Sequence, residues 1–237
     1  MGGEQQAIDR DAVDSLMGWW IEAGVDVAVG ESPRDWLRRI SAPSTVPSTA
    51  PMTNVAKPNQ ETLAELHEWL ASSVQLPLAS ATARRILPHG PQDAAVMLLS
   101  DSPALEDLAT SQPIGGEAWQ IAVKMLASIG IDPDETYSAS LSCFHAPGAR
   151  MTDKDRAECA EIARRHIALA KPKRLILFGD GPSKALLGEP LTRARGRVHR
   201  IEGVRAVATF HPRWLLQRPP DKALAWRDLL LLMSEND

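Results

Sequence analysis

Lys171-Pro-Lys-Arg-Leu-Ile-Leu-Phe-Gly179 is the stretch on which the reading of this chain turns. A basic, proline-bearing lead-in gives way to four consecutive large apolar residues, and a glycine ends the run. A short apolar run bounded by turn residues reads as a strand buried on both faces. On its N-terminal side, 153–170 reads as a helix, with Thr152 as its cap and acids in the first turn, where the helix dipole favours them. Apolar runs recur at 94–99 (AAVMLL), 136–142 and 205–210 (RAVATF). Between and after them, 118–129 places Trp119, Ala122, Val123 and Leu126 on one helical face, and 221–233 predicts a closing helix. Alternation of buried strands and helices predicts an α/β fold: a central, mostly parallel four-stranded sheet with helices on both faces. Ligands in such folds bind beyond the carboxyl ends of the strands, which directs attention to 100–116, 143–151, 179–184 and 211–218.

The N-terminal quarter reads differently. Leu16, Trp19, Trp20 and Ala23 have the spacing of one apolar helical face, and Ser32-Pro33 opens a second short helix through Trp36 and Leu37. Residues 41–59 are rich in Pro, Ser and Thr and lack the apolar groups to build a core, so they read as a linker. A helix over 61–72 follows, with Leu63, Leu66, Trp69 and Leu70 inward. The expected organisation is a helical segment over 1–40, a linker over 41–59 and a domain over 60–237. The N-terminal helix is a candidate face for a protein partner.

The 237 residues include two cysteines and no signal-like or membrane-length apolar run. This predicts a cytoplasmic protein with no membrane association and no disulfide framework. The net charge is −4, but seven arginines (193, 195, 197, 200, 205, 213 and 218) face one acid, Glu202, between Leu191 and Arg218. That local excess reads either as an anion-binding face or as a solvated surface.

Six segments, in order, carry a family resemblance. His211-Pro-Arg-Trp-Leu-Leu-Gln-Arg218, followed by Lys222 and Ala225-Trp-Arg-Asp-Leu229, resembles the closing motif of iron–sulfur (family 4) uracil-DNA glycosylases. Cys143-Phe-His-Ala-Pro-Gly-Ala-Arg150 with Cys159 resembles that family's cysteine segment. Lys171–Gly179, Ala185-Leu-Leu-Gly188 and Arg195-Gly196 match further segments, and Ser100-Asp-Ser-Pro103 with Glu106-Asp107 and Pro113 resembles a degraded first motif. Together they span roughly residues 74–232. The resemblance implies a three-layer uracil-DNA-glycosylase-like fold, DNA as partner, damaged or single-stranded, and hydrolysis of the N-glycosidic bond of uracil or another damaged base.

The same resemblance assigns candidate roles. His211 would donate to the departing base oxygen, where negative charge develops. Asp101 would orient water or face the sugar cation. Arg213, Trp214, Leu215 and Arg218 would contact DNA, by wedging the stack or neutralising phosphate, with Arg195 beside them. Gly179 and Ser183 would offer donors to phosphate at a helix N-terminus. Ser102, Ile114, Ala139 and Ser140 would line the base pocket. Here the chain departs from the family: Ala139 stands where family members carry an Asn that reads uracil, Ile114 replaces the stacking aromatic, and Ser102 replaces a glycine.

The cluster site departs too. A [4Fe–4S] cluster takes four thiolates. Cys143 and Cys159 sit at two family ligand positions, but the other two fall at Ser73 and Leu76. Two buried free thiols and no cofactor are expected; zinc held by both thiols with His145 or His166 is the other arrangement considered, and fits no standard spacing. Two functions stay open: a DNA-repair glycosylase with altered base selectivity, and a non-catalytic descendant that binds DNA or a partner.

Overall fold

The structure, a computed structural model, describes residues 60–234, which lie in the second of two units, Ala56–Asp237. The helices and linker expected within 1–59 lie outside the described residues.

The elements run α1 (Leu63–Ser72), β1 (Arg84–Arg85), β2 (Val96–Ser100), α2 (Leu105–Thr110), α3 (Gly116–Ser128), β3 (Thr136–Ser140), β4 (Phe144–His145), α4 (Asp153–Ala170), β5 (Arg174–Phe178), α5 (Asp180–Leu187), α6 (Leu191–Ala194), β6 (Val198–Ile201), β7 (Val204–Thr209), α7 (Pro212–Gln217) and α8 (Lys222–Met233). The sheet order is β3-β2-β5-β7-β6. The four strands expected from apolar runs are all present and mutually parallel. A fifth, β6, adds an antiparallel edge through a hairpin with β7. Its sequence, Val-His-Arg-Ile, has no apolar run to announce it, and a two-residue turn at Glu202 and Gly203, both with positive φ, makes the hairpin.

Side chains alternate across each strand, and this builds three layers. Met97, Leu99, Leu175 and Leu177 face one core with Ala163 and Ile167 of α4 and Leu186 of α5. Val96, Leu98, Ile176 and Phe178 face the other with Ala118 and Leu126 of α3 and Leu229 and Leu232 of α8. Every residue of β2 is buried, because helices cover both faces. Each fully buried Leu or Ile contributes roughly 1.5–3 kcal/mol. A smaller cluster, Leu66, Leu70, Leu76, Cys143 and Phe144, packs α1 onto the domain.

Local signals set the helix that flanks the site. Thr152 Oγ1 accepts the Asp155 N–H at 3.1 Å and the Asp155 carboxylate accepts the Thr152 N–H at 2.9 Å, a reciprocal cap for α4. The helix stops at Lys171, which takes a left-handed φ of 49° and delivers the chain into β5. Among the described residues, no helix is long and apolar enough to cross a membrane.

Candidate active site

Because β2, β5 and β7 are parallel, the residues just after them converge on one side of the sheet. They form a cleft of about 350 Å³ lined by Asp101 and Ser102, by Gly179, Asp180 and Gly181, and by His211, Arg213, Trp214 and Gln217.

His211 caps α7. Its Nδ1 accepts the backbone N–H of Arg213 at 3.0 Å. An Nδ1 that accepts carries no proton, so the neutral ring holds its hydrogen on Nε2. Burial, reinforced by the Arg213 charge, pushes the His211 pKa down to about 3. The ring is therefore neutral at physiological pH and still has one N–H to donate. Phe178 packs edge-on against it, with centroids 5.8 Å apart.

Asp101 leans on the start of α5. A Cβ added at Gly181 would overlap its carboxylate, so only glycine leaves room for it there. Surrounding protein pushes the Asp101 pKa upward, Arg156 pulls it down, Asp180 adds to the rise and Lys184 opposes it. Asp101 itself is exposed where it lines the cleft.

Several of the residues expected at the site are engaged within the fold or lie away from the cleft. The Gly179 N–H is spent on the Thr209 carbonyl at 2.9 Å, and the fully buried Ser183 donates its hydroxyl to the Gly179 carbonyl at 2.7 Å. Neither is available to phosphate. Arg213 grips both oxygens of Asp107, at 3.0 and 2.9 Å, and Arg195 pairs with Asp228 at 2.8 Å, so both cations are neutralised inside the protein. Arg197 pairs with Glu189, and Arg205 donates to the Leu231 carbonyl at 3.1 Å, so much of the basic run is held internally. Leu215 is 1% exposed and is a core residue, because 212–217 coils into a helix that turns it inward. Ile114 and Ala139 are each 1% exposed, in the cores on opposite faces of the sheet, and neither lines the cleft. Ser140 shares a hydroxyl hydrogen bond with Ser100 at 3.0 Å and lines a different cavity. Asp101, Ser102, His211 and Trp214 are brought together at the cleft, and Arg218 sits beside Trp214.

Two buried acids that carried no role in the sequence reading organise the site. Asp107, fully buried, binds Arg213 and accepts the N–H of Ala104 at 2.6 Å and of Gly115 at 2.7 Å. It thus ties the loop after β2 to α7. Asp228, 1% exposed, accepts from Arg195, from the Gly196 N–H at 3.0 Å and from Thr209 Oγ1 at 2.8 Å, fixing the end of β7 just before His211. Its place in the Trp-Arg-Asp-Leu segment was the available signal.

The cysteine region does not fit an iron–sulfur cluster. Cys143 and Cys159 are free and buried, and line a cavity of about 20 Å³ with Leu70, Leu76, Ile86 and His166. That is room for roughly one water. Burial pushes the Cys143 thiol up to about 11 and the Cys159 thiol up to about 12, so both are protonated at neutral pH. The two histidines considered for zinc are engaged elsewhere. The His145 Nδ1–H donates to the Pro103 carbonyl at 2.9 Å, and His166 Nε2 bonds to the Tyr137 hydroxyl at 2.6 Å. Among the described residues, no group of three or more His, Cys, Asp or Glu is placed to hold a metal.

Comparison with known proteins agrees with this architecture. Residues 87–230 match the uracil DNA glycosylase superfamily. The chain is 22% identical over 141 residues to a type-4 uracil-DNA glycosylase of Archaeoglobus fulgidus, covering 55% of this chain and 71% of that protein. It is 26% identical over 149 residues to a DNA polymerase of Bacillus phage SP01, covering 62% of this chain but 16% of that one. With the superfamily matched across more than half its length and across every strand of the cleft, the chain belongs to the uracil DNA glycosylase superfamily, close to its type-4 members.

Proposed function

We propose that the cleft is the active site of a DNA glycosylase that releases uracil or another damaged base from DNA. The observation that carries this reading is His211: half-buried, neutral, its Nδ1 occupied and its remaining N–H on a residue that lines the cleft. A leaving base accumulates negative charge on its carbonyl oxygen, and a pre-positioned neutral donor stabilises that charge without itself titrating. Asp101, across the cleft, faces the positive charge that develops on the sugar, or orients the attacking water. Arg213 keeps the rim in place through Asp107 rather than gripping DNA.

Base selectivity follows from the departures. With Ala139 and Ile114 in the cores, the chain offers neither an amide nor an aromatic ring from these positions, and shape alone discriminates bases less than a paired polar edge does. We therefore expect a base range unlike that of an enzyme reading uracil through an asparagine. The same loss favours a second reading, a descendant that binds DNA without excising a base.

The deciding experiment offers the full chain labelled oligonucleotides carrying uracil, hypoxanthine or xanthine and treats the products with alkali. Excision of at least one base, reduced about 10²–10³-fold by His211→Ala, with DNA affinity nearly unchanged, supports the glycosylase. No cleavage of any substrate by protein that still binds DNA supports the second reading.

A further inference from the structure

Beside the cleft, four planar groups follow one another in contact. The Arg195 guanidinium lies 4.5 Å over the Phe210 ring, Phe210 and Trp214 stack at 6.3 Å within 10° of parallel, and the Arg218 guanidinium lies 5.3 Å over Trp214. The inner end is anchored by the Arg195–Asp228 pair. Trp214 is also held by its indole N–H, which donates to Asp221 at 2.7 Å. The outer end is open: Trp214 is 41% exposed and Arg218 is exposed at the rim.

This arrangement bears on the form of DNA the protein handles. Opening a duplex is commonly helped by an apolar side chain that inserts between base steps, because unstacking is costly. In 212–218 the apolar candidates are otherwise engaged. Leu215 is buried, Leu216 packs against the core beneath α7, and Trp214 is held by Phe210, Asp221 and Arg218. A fixed aromatic ring with a guanidinium beside it suits the opposite task, receiving a base that is already unpaired. Bases stack on aromatic rings and on arginine planes with little regard to sequence.

We propose that Trp214 and Arg218 form a stacking platform for single-stranded DNA, on which the base next to the nucleotide in the cleft rests. The substrate is then unpaired DNA rather than intact duplex. This deepens the function proposed above and rests on its premise that the cleft receives DNA. The inner half of the stack, Arg195 and Phe210, is scaffold, holding the outer half in place before DNA arrives.

The test is fluorescence anisotropy with the full chain and an end-labelled oligonucleotide of about 15 nucleotides, single-stranded or annealed to its complement. Single strands should bind at least about tenfold more tightly than duplex. Trp214→Ala should weaken single-strand binding by about 5- to 100-fold, the usual loss for one stacked base, and leave duplex binding nearly unchanged. Trp214→Phe should restore much of the loss. Arg218→Lys, which keeps the charge and removes the plane, should weaken single-strand binding as well. Duplex bound as tightly as single strand overturns the proposal, as does an Arg218→Lys variant indistinguishable from wild type together with an unchanged Trp214→Ala. Excision is measured on the same strands. A single-strand preference without excision of any base ends the glycosylase reading and leaves the platform standing. Excision that favours duplex ends the platform and leaves the glycosylase standing.

Discussion

The loops beyond the sheet hold two regions that differ in what fills them. One, beyond β2, β5 and β7, is an open cleft of about 350 Å³ lined by acids, glycines, an imidazole and a guanidinium. The other, between the loop after β3 and α4, is a cavity of about 20 Å³ lined largely by apolar side chains and two protonated thiols. Each borders a histidine whose pKa burial pushes down to about 3, the half-buried His211 in the cleft and the buried His166 at the cavity. The shift therefore does not separate a chemical role from a structural one. The hydrogen bonds do. His166 Nε2 bonds the Tyr137 hydroxyl at 2.6 Å, and the same hydroxyl meets His67 Nε2 at 2.5 Å, a closed network within the fold. His211, which lines the cleft, spends only Nδ1 on the backbone, and its Nε2–H has no hydrogen-bond partner among the described residues.

The largest expected effect tests whether the cleft depends on its buried acid. Asp107→Ala leaves the Ala104 and Gly115 N–H groups without their partner and the Arg213 cation with only the Glu106 carboxylate, 3.8 Å away. Stability should fall by about 3–5 kcal/mol, read from urea denaturation. A loss below about 1 kcal/mol would mean that the Asp107–Arg213 pair does not hold the rim.

The cavity side is tested by pH. His166 is neutral in the fold and takes up a proton on unfolding below its ordinary value of 6.5. The unfolded state then binds more protons, so stability rises with pH between about 3 and 6.5 and levels off above. Acidification from pH 6.5 to 4.5 should cost up to about 1.4 kcal/mol per pH unit for each such histidine. His166→Gln should shallow that slope by one histidine's share, and an unchanged slope would place His166 in contact with water.

Removing the thiols should matter less. Cys143→Ala or Cys159→Ala should each cost about 1 kcal/mol, as a small buried group is lost. Purified wild type should be colourless, with less than one iron per chain by elemental analysis. Stoichiometric iron with charge-transfer absorbance would reverse the reading of this cavity.

The smallest expected effect is an absence of change. With His211 titrating near 3, excision rates should show no inflection from this residue between pH 5 and 8. An inflection near 6.5 that vanishes in His211→Ala would show the ring to be solvated and its charged form important.

The four parallel strands were legible because strands covered on both faces must be apolar throughout, as Leu175-Ile-Leu-Phe178 is. The edge strand Val198–Ile201 was not, because a strand covered on one side tolerates His199 and Arg200. Among the candidate site residues, His211 could be singled out because its His-Pro segment resembles the family's closing motif. The roles of Arg213, Arg195, Leu215 and Ser183 could not, because each depends on what lies opposite.

The sequence by itself thus determined the layered α/β architecture, the family, and the shortage of cluster ligands. These rest on residue type, period and order along the chain, which are local quantities. Only the tertiary structure decided which polar groups remain available. Asp107 neutralises Arg213 and Asp228 neutralises Arg195 across long stretches of chain, the Gly179 N–H is taken by the strand beside it, and α7 turns Leu215 into the core while leaving Trp214 at the rim. A charge or donor has a function only to the extent that its partners inside the fold leave it unspent, and those partners are set by folding rather than by neighbours in sequence.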